Sequence, residues 1–252
     1  MGNGILFKFM DSNLVIGQQS LKMFMNKTIQ EKNKGYICFP DAYNWCMAIR
    51  DAEHKKYLME SILNFCDSSL IKKLISDHCG LPLVTYPGPI AFSDTIANSN
   101  LRQCLIGPEE NEFQKLERIT GNSMNHVFSF PLPLINPATY DYGPLNEFLA
   151  KNKIKVAWVL LGAGKQEKFC YHASKLKCNS IFMAVGAALK YYTGELQYSK
   201  KSLMGLSPTW LIRIYKEPKK TIKRHMVVLK ELHNLKNAIK NGITLKNLAE
   251  YE

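Results

Sequence analysis

The stretch Lys155-Val156-Ala157-Trp158-Val159-Leu160-Leu161 is apolar at every position after its lysine, and it stops abruptly on Gly162-Ala163-Gly164. A strand that is apolar throughout, rather than at alternate positions, is buried on both faces, and such strands belong to mainly parallel sheets with helices on each side. The glycine turn opens a segment starting near Lys165 that reads as a helix. Strand, tight turn and helix in succession make up the repeating unit of an α/β fold.

The same alternation is legible elsewhere. Gly35-Tyr36-Ile37-Cys38-Phe39-Pro40 is a short buried strand stopped by proline. Asp41 is placed to cap the next helix, where Ala42, Trp45, Cys46 and Ile49 recur at helical spacing. A second helix is expected over about 52–63. The short apolar piece 64–69 ends in Asp67, Ser68 and Ser69, and a helix over about 70–78 ends at Gly80. The Pro- and Gly-containing segment 81–89 is expected to be a loop before a helix starting near Ser93. A strand over 102–108, a helix over 109–119, an edge strand over 126–134 carrying Pro131 and Pro133, and a helix over 142–151 follow. A last core strand over 179–185 leads into a helix or turn near 186–194. Residues 1–35 are expected to contribute one or two strands. The pattern predicts a doubly wound, Rossmann-like α/β core over 1–198.

Beyond Ser199 the character changes. Leu203 to Ile214 is apolar and contains Trp210, and Arg213, Lys216, Lys219, Lys220, Lys223 and Arg224 follow with Glu217 as the only acid among them. This predicts a basic helical appendage over 199–252. The formal net charge of +12 calls for an anionic partner: nucleic acid, an acidic lipid surface or a phosphorylated substrate. The longest apolar stretch, 181–189, is far short of the roughly 20 residues that span a bilayer, so any membrane contact is expected to be peripheral. The seven cysteines form no C-x-x-C pair, which fits a reducing cytoplasm, and the N-terminal residues carry no recognisable export signal.

Four segments in register carry a resemblance. Gly162-Ala163-Gly164-Lys165-Gln166-Glu167-Lys168-Phe169 resembles the turn Gly-x-Pro-x-Gln-Glu plus aromatic of the WecG/TagA/CpsF glycosyltransferases. Phe39-Pro40-Asp41-Ala42 resembles that family's early strand-to-helix turn. Asp67, Gly80 and Gly88-Pro89 resemble its Asp-Gly region, and Pro208-Thr209-Trp210-Leu211-Ile212-Arg213-Ile214-Tyr215-Lys216-Glu217-Pro218 resembles its tail. The match runs from about Tyr36 to Met226. It departs from the family pattern where Gly164 replaces proline, Asp41 replaces Asn, Ser68 replaces Gly, Lys190 replaces an acid, and Ile90 stands where an acid is usual, with Asp94 nearby.

The resemblance implies an inverting glycosyltransferase that takes a sugar of N-acetylmannosamine type or a hexose from a UDP-sugar. The acceptor it implies is a polyprenyl-diphosphate-linked sugar on the inner face of the cell membrane, in cell-surface polysaccharide synthesis, with dimers or trimers as the assembly. No cofactor is expected, and neither Asp-x-Asp nor any His or Cys spacing suggests a metal. By this resemblance Asp67 is the general base, and Arg213 and Arg224 are appendage arginines that meet the diphosphate. Asp41, Ser68, Gly88, Gly162, Gly164, Gln166, Glu167 and Gly186 line the substrate.

The residues themselves allow plainer roles. Asp67 can cap the helix that follows it. Amides at the Gly162-Ala163-Gly164 turn can offer a helix N-terminus to a diphosphate while Gln166 and Glu167 hydrogen-bond a uridine or a sugar hydroxyl, or the pair can be solvent-facing first-turn residues that suit the helix dipole. Arginine forks bind phosphate oxygens bidentately, but a basic helix is also an ordinary solvated face. Trp210, Leu211, Ile214 and Tyr215 among the cations favour an anionic membrane surface. Two other functions compete: a nucleotide-sugar-binding relative without turnover, for which the residues at Ser68, Ile90 and Lys190 speak, and a basic nucleic-acid-binding protein, for which no recognised motif speaks.

Overall fold

The computed structural model describes residues 4–17, 21–98, 100–132, 135–197 and 217–246. In chain order its elements are β1 (Gly4–Phe9), β2 (Ser12–Gly17), α1 (Lys22–Glu31), β3 (Gly35–Cys38), α2 (Ala42–Arg50), α3 (Ala52–Met59), β4 (Leu63–Phe65), α4 (Ser69–Cys79) and α5 (Gly88–Ile96). There follow β5 (Gln103–Ile106), α6 (Glu110–Thr120), β6 (Val127–Phe130), α7 (Gly143–Lys151), β7 (Val156–Val159), α8 (Lys165–Ala173), β8 (Ile181–Ala184), α9 (Ala188–Tyr192), α10 (Pro218–Gly242) and β9 (Thr244–Lys246). The strands are mostly parallel and alternate with helices, so this is an α/β fold and the Rossmann-like description fits it.

The chain forms two compact units. One comprises the residues up to Leu21, Phe39–Pro87 and those from Gly194 onward; the other comprises Lys22–Cys38 and Gly88–Thr193.

In the second unit the strand order is β6-β5-β7-β8-β3, with every pairing parallel. All four residues of β5, β7 and β8 are buried, as their unbroken apolar runs demand. Trp158 packs edge-on against Phe92 at 5.2 Å between centroids, and its indole N–H is satisfied by Gln103 Oε1 at 2.8 Å. β6 lies at the edge, where Pro131 predicted it. From β5 the chain runs outward to β6 and then returns to β7, so winding reverses at β5. The crevice beyond the C-terminal ends of parallel strands at such a reversal is where α/β proteins bind ligands, and the Gly162 turn leaves β7 there.

The first unit orders its strands β4-β2-β1-β9. β1 and β2 form an antiparallel hairpin whose two connecting residues, Met10 and Asp11, both have positive φ (50° and 66°). β2 pairs with β4 in parallel. Phe9 packs at a tilt against Trp45 with centroids 4.8 Å apart and Phe39 stacks on Phe65 at 5.5 Å, which seats α2 and the end of β4 on this sheet.

Several boundaries differ from the sequence reading. α5 begins at Gly88 rather than near Ser93, because Pro89 in the first turn needs no amide partner and does not delay the helix. α1 was not expected; its weakly amphipathic sequence buries only Met25, Thr28 and Ile29. Among its described residues the predicted appendage is helical over Pro218–Gly242 and then contributes a strand: Leu245 pairs with Phe7, antiparallel, at the edge of β1. α10 packs on α2, α4 and β1 and buries Leu235 and Ile239. Arg213 and Trp210 lie outside the described residues.

Candidate functional site

The sequence-predicted residues fall into two clusters, one in each unit.

In the first unit, β4 delivers Asp67 to a turn whose backbone is tied to the end of the preceding strand segment: the Asp67 N–H donates to Pro40 O at 3.3 Å. Asp67 does not cap the next helix. Ser68 does, its hydroxyl accepting from the Ile71 N–H at 3.2 Å while its backbone is extended, as an N-cap requires. The helix-cap reading of Asp67 is therefore corrected. Ser68, for its part, is buried and its hydroxyl oxygen has a structural partner. Neighbouring Cys66 is fully buried, and burial pushes its thiol up to about 12, with the Asp67 carboxylate adding to the rise.

One residue beyond Pro40, Asp41 caps α2: its Oδ1 accepts from the Asn44 N–H at 3.0 Å and from the Asn44 side-chain amide at 3.3 Å. Its Oδ2 lies 3.7 Å from the Arg224 guanidinium, which also sits over the Tyr43 ring at 4.8 Å. Arg224 thus reaches the start of α2 from a helix far along the chain. Tyr43 carries no sequence signal for this contact, which exists only because α10 packs on α2. Beside it, His225 is held below its usual value by burial and by Arg224, against the opposing pull of Asp41.

In the second unit, Gly164 opens α8 with φ +86°. The Glu167 carboxylate folds back over the helix start: Oε2 accepts from the Gly164 N–H at 2.6 Å, and Oε1 accepts from the Gln166 side-chain amide at 2.9 Å. That amide also donates to Ala184 O at 3.1 Å. The N–H groups of Lys165 and Gln166 both go to Gly162 O at 3.1 Å. The Gly164, Lys165 and Gln166 N–H groups at this helix start are bonded within the turn, and the chain's own Glu167 carboxylate lies over it. Gln166 and Glu167 are also not solvent-facing, being 5% and 0% exposed.

Gly186, at the end of β8, has φ +57°, and a β-carbon there would lie 2.9 Å from Gln166 Oε1 and 3.3 Å from Leu161 O. Among the described residues Gln166 Oε1 has no hydrogen-bond partner. A buried acceptor left open is costly unless something completes it, so this oxygen marks a position for a donor. Burial and the Glu167 charge together raise the Cys38 and Cys170 thiols, so neither is a nucleophile at neutral pH.

Gly88 is buried in the first turn of α5. Lys190, on α9, is 3.3 Å from Glu112, and Asp94 is 3.6 Å from Lys22. Among the described residues no three His, Cys, Asp or Glu side chains gather as metal ligands would, and no helix is long and apolar enough to cross a membrane.

In one unit β4 leads to the Asp67 carboxylate, and in the other β7 leads to a glycine turn followed by a buried Gln-Glu pair; the ends of parallel strands are where α/β proteins bind ligands. Residues 13–244 match the profile described as glycosyl transferase WecG/TagA/CpsF family, and the chain belongs to that family. It is a glycosyltransferase, with a nucleotide-sugar donor and a glycan acceptor.

Proposed function

We propose that this chain is an inverting glycosyltransferase that works without a metal. It moves a hexose or an N-acetylmannosamine-type sugar from a UDP-sugar to a polyprenyl-diphosphate-linked acceptor for cell-surface polysaccharide, from the cytoplasmic side of the membrane. The observation that carries the reading is the position of Asp67. It stands just beyond the C-terminal end of β4, its N–H bonded to Pro40 O next to the Asp41 that faces Arg224.

In this mechanism the acceptor hydroxyl gives its proton to the Asp67 carboxylate as its oxygen attacks the anomeric carbon from the face opposite the nucleotide. The bond from that carbon to the β-phosphate oxygen breaks, and UDP leaves with the electron pair. Base assistance of this kind contributes roughly 10²- to 10⁴-fold. Arg224, with Arg213, meets the charge that grows on the departing diphosphate, a role suited to a guanidinium because it cannot lose its proton.

α10 supplies the membrane contact. Ile222, Met226 and Leu229 are exposed and recur at helical spacing, and Lys219, Lys223 and Lys230 stand beside them. An apolar stripe edged by lysines suits an anionic lipid surface, where each cation adds about 1 kcal/mol.

The test is UDP release from a panel of UDP-sugars with a short polyprenyl-diphosphate-sugar acceptor, comparing the parent with Asp67→Asn and Arg224→Ala. Acceptor-dependent release by the parent, reduced at least 100-fold in Asp67→Asn with donor binding retained, is expected. A folded parent that binds UDP-sugars and releases nothing would establish the non-catalytic relative instead. Point variants are preferable to removing the appendage, since Leu235 and Ile239 of α10 are part of the core.

A further inference from the structure

The amide of Gln166 has a defined polarity. Both groups within reach of its NH2, Glu167 Oε1 and Ala184 O, can only accept, so the NH2 must face them and the oxygen must face the Gly186 turn. That oxygen is 95% or more enclosed with its residue and has no partner among the described residues. Leu161 O lies on the same side of Gly186. Two carbonyl oxygens therefore approach the bare α-carbon of Gly186, with a buried carboxylate behind them.

From this we propose that Glu167 is a positioning residue: it holds Gln166 Oε1 as a hydrogen-bond acceptor at the Gly186 turn, so that this corner selects a neutral hydroxyl or N–H of the nucleotide-sugar and excludes its diphosphate. The inference rests on the glycosyltransferase reading above. Phosphate oxygens at neutral pH only accept, so at this corner they would face two acceptors and a carboxylate, while the helix amides that could have held them are bonded to Gly162 O and Glu167. A sugar hydroxyl or the uracil N–H supplies the missing donor. Glu167 does not touch the ligand; it acts through Gln166.

The polarity makes Glu167→Gln informative. The new residue still accepts from the Gly164 N–H with its oxygen, and it then turns an NH2 toward Gln166. Gln166 then faces an NH2 from residue 167 and the carbonyl of Ala184 at once, and neither orientation of its amide satisfies both, so its oxygen is no longer fixed at the Gly186 turn. The acceptor's orientation is lost without change of size.

The experiment is calorimetric binding of UDP-N-acetylhexosamines and their analogues to the full-length protein. The analogues are monodeoxyfluoro sugars, which cannot donate at one position each, and the N3-methyluridine form. For the parent, one donor-removing change is expected to weaken binding about 10- to 100-fold, the cost of leaving the buried oxygen unpaired. In Glu167→Gln the unmodified ligand binds correspondingly worse, and the same analogue loses less than about threefold relative to it. A parent profile flat across all analogues overturns the inference even if Glu167→Gln fails to fold. So does a Glu167→Gln profile that parallels the parent's. If no UDP-sugar binds the folded parent, the proposed function fails, and the inference falls with it; binding and turnover with a flat profile remove the inference alone.

Discussion

Replacing Gly186 by alanine tests the geometry of the second cluster directly. Two costs arise. The first is backbone strain: at φ +57° an L-residue with a β-carbon is disfavoured by about 1–2 kcal/mol. The second is collision, because the new methyl would sit 2.9 Å from Gln166 Oε1, and the amide must give way. The amide is held by hydrogen bonds of 2.9 and 3.1 Å, each worth about 1 kcal/mol net, so displacing it adds roughly 1–2 kcal/mol. Gly80 provides the control. It ends α4 at φ +67° with nothing within 4 Å of its would-be β-carbon, so Gly80→Ala bears the strain alone. Urea unfolding of both variants should place Gly186→Ala about 1–2 kcal/mol below Gly80→Ala, and only Gly186→Ala should weaken UDP-sugar binding. A difference under about 0.5 kcal/mol, with binding intact, would refute the close approach of Gln166 to Gly186 and the site built on it.

Ser68→Ala removes the cap of α4 and should cost about 1 kcal/mol in urea unfolding while leaving kcat within a few-fold of the parent, in contrast to Asp67→Asn. Asp41→Asn keeps a capping side chain but deletes the charge facing Arg224. Because that pair is 3.7 Å apart and partly exposed, the loss should stay below about 1 kcal/mol and vanish in about 1 M salt, read from unfolding midpoints at low and high ionic strength. His54 is held below its usual 6.5 chiefly by burial, with Asp51 and Asp41 opposing. The folded chain therefore keeps the ring neutral, and the unfolded chain takes up the proton first as the pH drops. His54 stabilises fully above pH 6.5 and progressively less below it, so His54→Gln should flatten the fall in unfolding midpoint between pH 6.5 and 5.

The α/β class, most of the elements and the family were legible in the sequence because they rest on local signals. The unbroken apolar run of β7 states that both faces are covered, Asp41 before Ala42 marks a helix start, and Gly80 after Cys79 marks a helix end. Gln166 and Glu167 were legible as a motif for the same reason. Their orientation was not, since whether they face water or the interior depends on Ala184 and Gly186 of another strand. Likewise, the sequence pointed to Asp67 as the cap of the next helix, and only the path of the chain out of β4 put Ser68 there instead. The sequence marked Arg224 as a phosphate-binding cation, but not that it is held between Asp41 and Tyr43, because that contact requires α10 to fold back onto α2. Periodicity and capping act within a few residues and are written in the chain itself; polarity at a site and the pairing of distant charges arise only where packing brings separate segments together.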